Sequence, residues 1–158
     1  MKIGVISDTH GNMTAIKKAA EAAGAVDLWL HCGDYSWDSD YLKRLTGVQV
    51  IAAKGNCDGG APTKLDEFLN LEGLSIWLTH GHRYHVNQGL AELRFWARQY
   101  EAAIVVFGHT HIPELIKDAE SLLFNPGSAS LPSNNQKPTF GIITIDGDNI
   151  SACQIELL

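Results

Sequence analysis

The sequence predicts an α/β fold in which two β-sheets pack as a sandwich and helices cover the outside. Strand and helix patterns alternate through the first third of the chain, which is typical of a parallel sheet with crossover helices. The second half is mostly β, with one further helix. The length of 158 residues suits a single domain over 1–158 and is too short for two ordinary ones.

The alternating segments of the first third have clear boundaries. The first is a short apolar run that ends in polar residues, as a buried strand does. Asn12 is placed to cap the helix that follows, and Gly24 is placed to end it. Gly47 closes the second helix in the same way. The predicted order is strand 2–7, helix 13–23, strand 27–31, helix 39–45 and strand 48–53.

The second half begins with two strands that a tight turn at 72–73 connects. A helix with one apolar face follows, and Tyr100 is the last residue expected on that inner face. The remaining segments are short apolar runs, and the last two are joined by a hairpin turn at 146–149. The predicted order is strands 64–71 and 74–79, helix 89–99, then strands 104–107, 114–117, 122–125, 140–145 and 150–157.

Composition and charge argue against several classes of protein. Apolar residues make up 45% of the chain and charged residues 19%, as in folded soluble proteins and unlike disordered ones. No stretch is apolar enough to span a bilayer, and the first residues do not read as a signal peptide. The formal charge of −6 opposes general binding to nucleic acid. The three cysteines show no paired spacing, so we expect no disulfide and a cytoplasmic location.

Residue types that bind metals follow nearly every strand of the parallel part. The carboxyl ends of parallel strands meet at one edge of a sheet, so these side chains should converge in one cleft. Carboxylate, amide and imidazole ligands favour Mn²⁺, Fe²⁺, Ni²⁺ or Zn²⁺ over Mg²⁺ and Ca²⁺. Seven such residues are too many for one tetrahedral ion but suffice for two ions that share a carboxylate. The candidate ligands are Asp8, His10, Asp34, Asn56, His80, His109 and His111.

Each motif taken alone can also be explained as ordinary structure with no functional role. An acidic turn after a strand is common, so the motif at 8–10 says little alone, and the dipeptide at 55–56 is an ordinary turn. The paired histidines at 80–82 and 109–111 are harder to explain, because such pairs are unusual as core residues. The joint pattern, with every motif at a strand end, favours a metal site.

Taken together, these motifs resemble those of the calcineurin-like metallophosphoesterase superfamily. The resemblance covers Asp-x-His at 8–10, Gly-Asp at 33–34, Gly-Asn-x-Asp at 55–58, His-Gly-His at 80–82 and Gly-His-Thr-His at 108–111. The short chain and Asn-Pro-Gly-Ser at 125–128 are similar to the small bacterial and archaeal phosphodiesterase branch. The resemblance implies a four-layer αββα sandwich, in which two mixed β-sheets are flanked by helices (the metallo-dependent phosphatase fold).

The resemblance also implies two divalent ions, with manganese favoured and nickel, iron or zinc as alternatives. Asp34 would bridge the ions; the first would also be held by Asp8, His10 and His111, and the second by Asn56, His80 and His109. Two such ions can share a hydroxide of lowered pKa. That hydroxide would attack phosphorus in line with the leaving oxygen of a small phosphate ester.

One position departs from a common pattern of the family. Cys57 stands where many members have a histidine that acts as general acid or contacts phosphate. A thiol, with a reference pKa of about 8.5, is a poorer proton donor to an alkoxide, so we expect good leaving groups or diesters as substrates. Asp58 is expected behind the ligands, and His82 is expected to contact phosphate or to orient His80. His31 is expected to bond to the backbone at its strand end.

Two functions from different classes fit this sequence. The first is a hydrolase that acts on phosphate esters, with phosphodiesters preferred. The second is a non-catalytic binding scaffold on the same fold, as the retromer subunit of this superfamily illustrates, although such relatives tend to lose metal-binding histidines that this chain keeps. A purple acid phosphatase is disfavoured because Trp37 stands where that group needs a tyrosine. A nuclease stays open, although no basic patch is visible. The resemblance to small members of the branch also implies assembly into a homo-oligomer, so we expect a dimer or tetramer.

Overall fold

A computed structural model describes residues 1–158, and its elements follow the predicted order. The helices are α1 (Met13–Ala23), α2 (Asp38–Thr46) and α3 (Ala91–Gln99), with two short 3₁₀ turns at His82–Tyr84 and Val86–Gln88. The strands are β1 (Lys2–Ile6), β2 (Leu28–His31), β3 (Val50–Ala52), β4 (Asp66–Leu71), β5 (Leu74–Thr79), β6 (Ile104–Val106), β7 (Pro113–Lys117), β8 (Leu122–Pro126), β9 (Thr139–Asp146) and β10 (Asn149–Glu156).

The ten strands form two mixed sheets of five strands each. In the first sheet the order is β10-β9-β1-β2-β3, where β1, β2 and β3 are parallel and β9 and β10 are antiparallel additions. In the second sheet the order is β4-β5-β6-β8-β7, where β5, β6 and β8 are parallel and the edge strands are antiparallel. Each sheet therefore contains three neighbouring parallel strands, whose carboxyl ends all lie on one side of the sheet.

Three apolar clusters hold four layers together. The inner cluster joins the facing sides of the two sheets and includes Val5 and Leu30 from one sheet and Leu78 and Val106 from the other. A second cluster packs α1 and α2 against the first sheet, and a third packs α3 against the second sheet. The layers therefore run helix, sheet, sheet, helix, which confirms the predicted αββα sandwich.

Two details of the prediction change in the structure. The third helix begins at Ala91 rather than at 89, because the chain first makes two 3₁₀ turns and Gly89 has a φ of 118°. Tyr100 lies one residue beyond the end of α3 and is 37% exposed, so it does not belong to the inner face. Its ring instead meets the edge of the buried Trp77 at 5.0 Å between centroids. None of the helices has the length and apolar character that crossing a membrane requires.

Candidate metal centre

The candidate ligands lie at the carboxyl ends of the parallel strands of both sheets. Because the two sheets face each other, these strand ends form one cleft to which each sheet contributes. Asp8 and His10 follow β1, Asp34 follows β2, Asn56 follows β3, His80 follows β5, and His109 and His111 follow β6. The predicted convergence therefore holds, although the metal-binding role of each residue stays a prediction.

Four of these residues form a first group at the cleft floor. One ligand atom each from Asp8, His10, Asp34 and His111 lies within 4.8 Å of the others. Nε2 of His111 is 3.1 Å from Oδ1 of Asp8, and Nε2 of His10 is 3.9 Å from Oδ2 of Asp34. Ligands on opposite sides of an ion lie about 4 Å apart when each is about 2.1 Å from it, so this group fits a single cation after small side-chain adjustments.

A second group surrounds Nε2 of His80, which is fully buried. This nitrogen lies 3.0 Å from Oδ1 of Asn56, 3.2 Å from Nδ1 of His109 and 3.4 Å from Oδ1 of Asp34. An amide oxygen, a carboxylate oxygen and two imidazole nitrogens therefore point to one place. The two imidazole nitrogens face each other and cannot both be acceptors, so a proton or a cation must lie between them.

Asp34 belongs to both groups. Its Oδ1 faces His80 of the second group and its Oδ2 faces His10 of the first. The carboxylate is nearly buried and is fixed by the backbone N–H of Cys57, which donates to Oδ1 at 2.9 Å. The residue predicted to bridge two ions is therefore the one that lies between the two groups.

Two buried atoms of the first group lack hydrogen-bond partners. Oδ1 of Asp8 and Nε2 of His10 are shielded from solvent and form no directed hydrogen bond, although His111 lies near Asp8. Buried polar atoms are normally paired, and leaving one unpaired costs about 1–3 kcal/mol. Both atoms are ligand types that a transition-metal ion accepts. The residues present thus fit a cation in this group.

Three of the candidate histidines are oriented through their second ring nitrogen. Nδ1–H of His80 donates to the carbonyl of Cys32 at 2.8 Å, and Nδ1–H of His111 donates to the carbonyl of Leu131 at 2.5 Å. For His109 the outer partner is the side-chain amide of Asn87, 2.9 Å from Nε2. Rotating this amide by half a turn places its oxygen against Nε2–H, as a ligating Nδ1 would require. Sequence reasoning did not single out Asn87.

We expect Asn87→Ala to weaken the binding of a divalent cation such as Mn²⁺ about 10–100-fold, the usual cost of removing an outer partner of a metal ligand. The reason is that His109 would lose the hydrogen bond that fixes its ring. Mn²⁺ titration of the metal-free protein measures the change. Gln88→Ala, at the next exposed position, is the matched control, and an Asn87→Ala protein with unchanged Mn²⁺ affinity would contradict the role.

Asp58 connects the loops behind the candidate ligands, in line with its predicted position. Its buried carboxylate accepts hydrogen bonds from the backbone N–H groups of Asp34, Ser36 and Gly55, all at 2.8–2.9 Å. The loops after β2 and β3 are therefore tied to one carboxylate. Close packing adds to this, since a Cβ built on Gly55 would overlap Oδ1 of Asp34.

The other predicted residues take different places around the site. His82 lies near the second group, with its ring 5.3 Å from that of His80 and 6.0 Å from that of His109, but the carbonyl of Cys32, not His82, orients His80. Nδ1 of His82 is buried without a partner. Cys57 is exposed beside Asn56, whose amide donates to its sulfur at 3.6 Å. Cys57 is thus at the cleft rim, where a substrate could meet it.

The carboxylates make the potential in the cleft negative. Burial alone would lower the pKa of His80, but hydrogen bonding and charge attraction from Asp34 and Asp8 outweigh it and raise that pKa. The neighbouring carboxylate of Asp8 is the largest of the causes that raise the pKa of His111. Burial opposes ionisation of Asp34, yet His80 and the N–H of Cys57 bring its pKa below the ordinary value. For His109, burial and then the charge of His80 lower the pKa.

The backbone at the candidate ligands is unusual. Five of them have left-handed backbone conformations, which residues other than glycine adopt at a cost of about 1–2 kcal/mol. The φ angles are 52° at Asp8, 46° at His10, 57° at Asp34, 69° at His109 and 59° at His111. Such conformations cluster at functional sites because they direct side chains that regular structure would point elsewhere.

Comparison with known proteins shows the family of this chain. The family model described as the calcineurin-like phosphoesterase superfamily domain matches residues 1–148. The probable metallophosphoesterase YsnB of Bacillus subtilis is 34% identical over 152 residues, covering 94% of this chain and 86% of YsnB. A crystal structure of a predicted phosphoesterase from Streptococcus pneumoniae has a TM-score of 0.84 at 29% identity, covering 98% of this chain and 88% of that one.

The fold is also shared with Vps29 of Entamoeba histolytica, whose zinc-complexed structure has a TM-score of 0.78 at 20% identity and covers all of both chains. At that identity the likeness concerns the fold alone. The family match over residues 1–148 and the identity to YsnB show the family as well as the fold. The chain therefore belongs to the calcineurin-like phosphoesterase superfamily, as its strand-end motifs indicated.

Proposed function

We propose that this protein is a binuclear metal-dependent phosphoesterase that hydrolyses small phosphodiesters. The observation that carries the proposal is the position of Asp34, whose two carboxylate oxygens face histidines of two different ligand groups. A carboxylate in this place can be shared by two cations. The first would also use Asp8, His10 and His111, and the second would also use Asn56, His80 and His109. Mn²⁺ is the favoured ion, with Ni²⁺, Fe²⁺ and Zn²⁺ as alternatives.

When bound, two divalent ions would supply a water of lowered pKa for in-line attack and would offset negative charge on the phosphate oxygens. The protein's own residues orient the reaction. The buried carboxylates of Asp8 and Asp34 hold their orientation through neighbouring backbone N–H groups of His109 and Cys57. His82 lies beside the second group, and its outer ring nitrogen, Nε2, is the one that could donate to a phosphate oxygen, because Nδ1 is buried. No residue in the cleft is needed as a covalent nucleophile.

The side chain at Cys57 sets the choice of leaving group in this proposal. Partial burial and then the charge of Asp34 raise the pKa of the thiol, which makes proton transfer to a departing alkoxide less favourable. Aryl esters need little protonation of the leaving oxygen, so they should be the better substrates. This favours phosphodiesters with good leaving groups over alkyl monoesters.

We expect Cys57→His to broaden the accepted leaving groups. An imidazole with a pKa near neutrality can act as general acid, which typically contributes at least about 10²-fold where protonation limits the rate. Values of kcat/KM for an aryl and an alkyl phosphodiester measure the effect. The ratio of the aryl value to the alkyl value should fall, because the alkyl ester gains more from an added acid. Cys57→Ser is the control without a new acid. An activity profile that Cys57→His leaves unchanged would count against this assignment.

The alternative is a binding scaffold on the same fold without turnover. The complete set of candidate ligands and the unpaired buried atoms at Asp8 and His10 support the enzyme instead. Metal analysis of the purified protein, combined with a panel of monoesters, diesters and cyclic nucleotides under several divalent ions, tests the proposal. Two bound ions and turnover of an aryl phosphodiester are expected. Metal-free protein without turnover under every ion would favour the scaffold.

Assembly into a dimer or tetramer is part of the same proposal. Sedimentation of the purified protein at several concentrations checks it. A monomer at every concentration would be the contrary result.

A further inference from the structure

His10 differs from the other three candidate histidines in how it is held. His80, His109 and His111 each have a second ring nitrogen fixed by a partner outside the cleft. The ring of His10 forms no hydrogen bond, and its buried Nε2 has no partner. Its backbone is also left-handed, with a φ of 46°, a conformation that the chain would relax if nothing held it. Its ring packs against those of Tyr35 and His111, at 5.3 and 5.4 Å between centroids, but no hydrogen bond fixes it. The position of its backbone therefore depends on the residues on either side of it in the chain.

Asp38 binds both of those neighbours. Its Oδ2 accepts a hydrogen bond from the hydroxyl of Thr9 at 2.6 Å and another from the backbone N–H of Gly11 at 2.9 Å. The two donors flank His10 on either side. Asp38 is only 4% exposed and is the first residue of α2, so a buried carboxylate on a rigid helix holds the loop that carries His10.

The hydrogen bonds continue from Thr9 to the next loop. The backbone N–H of Gly33 donates to Nδ1 of His31 at 3.1 Å, so Nδ1 is an acceptor and the proton of this buried imidazole lies on Nε2. Nε2–H then donates to the hydroxyl oxygen of Thr9 at 3.0 Å, which leaves the hydroxyl proton for Asp38. Every bond in the chain has one donor and one acceptor. The chain ends at Gly33, directly before Asp34.

We propose that Asp38 is a positioning residue for His10, and that its chain of hydrogen bonds through Thr9 and His31 sets the spacing between His10 and Asp34. The inference rests on the proposed function, because it assumes that these two residues hold a cation together. It explains why a buried acid that touches no candidate ligand side chain occupies the first turn of α2. It also gives His31 a role beyond the backbone bond expected from the sequence.

Mn²⁺ binding to the full-length protein tests the inference without measuring turnover. We expect the wild-type protein, stripped of metal by a chelator, to bind two ions, and Asp38→Ala to bind one of them about 10–100-fold more weakly while the other is unchanged. Asp38→Asn keeps an oxygen that can accept both hydrogen bonds and should stay close to wild type. Asp40→Ala removes an exposed acid from the same turn of α2 and should bind as wild type.

A structural role alone would lower the melting temperature of the metal-free Asp38→Ala protein without selectively weakening the binding of one ion. Equal affinities in Asp38→Ala and wild type, or equal weakening in Asp38→Asn and Asp38→Ala, would overturn the inference; the second result would assign the effect to charge. Should Asp38→Ala fail to fold, Thr9→Val and Thr9→Ser carry the same comparison, since only serine keeps the hydroxyl. A wild-type protein that binds none of Mn²⁺, Ni²⁺, Fe²⁺ and Zn²⁺ overturns the proposed function as well, whereas unchanged binding in the variants overturns this inference alone.

Discussion

Asp34→Asn should remove both proposed metal ions and lower kcat/KM for an aryl phosphodiester by at least about 10²–10³-fold, the size of effect that follows loss of a principal electrostatic group in an active site. The N–H of Cys57 donates to Oδ1 of Asp34, so the asparagine oxygen is expected to take that place. The amide NH₂ then faces His10, where a ligand atom is needed. Both groups lose the negative charge they share.

Metal analysis and steady-state kinetics on the same preparation measure this result. Asp40→Asn is the matched control, because it removes an equal charge from an exposed position on α2. A metal-free melting temperature close to wild type would show that the effect is local. Full activity with both ions retained would refute the bridging role of Asp34.

Gly55→Ala should both destabilise the protein and weaken metal binding. A Cβ at Gly55 would overlap Oδ1 of Asp34 and approach its backbone nitrogen, and neither atom can move freely, because each is hydrogen-bonded. Overpacking of this kind typically costs about 1–3 kcal/mol. We therefore expect a lower melting temperature of the metal-free protein and weaker binding of Mn²⁺ ions.

Gly59 lies in the same loop as Gly55, and Gly59→Ala serves as the comparison. A Cβ there would meet no atom within 4 Å, and the residue is not left-handed. An alanine at such a position is neutral or stabilises by about 0.4–1 kcal/mol through the unfolded chain. If Gly55→Ala and Gly59→Ala melt and bind Mn²⁺ alike, close contact between the two loops is not what fixes Asp34.

The sequence was sufficient to predict the order of the elements and their packing as a two-sheet sandwich, because alternating strands and helices leave few possible arrangements. The strand ends are then forced to a common edge, which is why His80 and His109 meet although 29 positions separate them. Helix α1 has the predicted bounds because Asn12 caps it and Gly24 ends it. The later helix was less predictable, since the 3₁₀ turns before it lack the spacing of an α-helix.

The residues that support the site were harder to foresee. Asn87 lies in a 3₁₀ turn and Asp38 in the first turn of a helix, so neither shares the strand-end position that identified the ligands. The partners of His80 and His111 are backbone carbonyls, which any residue type supplies. A polar residue in an amphipathic or irregular segment is by default expected to be solvated, and only the fold shows that these contact the site.

The left-handed backbone at five of the candidate ligands has a consequence for how this protein can change. Glycine adopts that conformation freely and asparagine adopts it readily, so either residue at His109 or His111 would relieve local strain. Selection for thermal tolerance alone would favour such replacements, and each one would remove a candidate ligand. A descendant lineage freed from catalysis should therefore gain stability as its histidines disappear, which makes loss of this chemistry easier to evolve than its recovery.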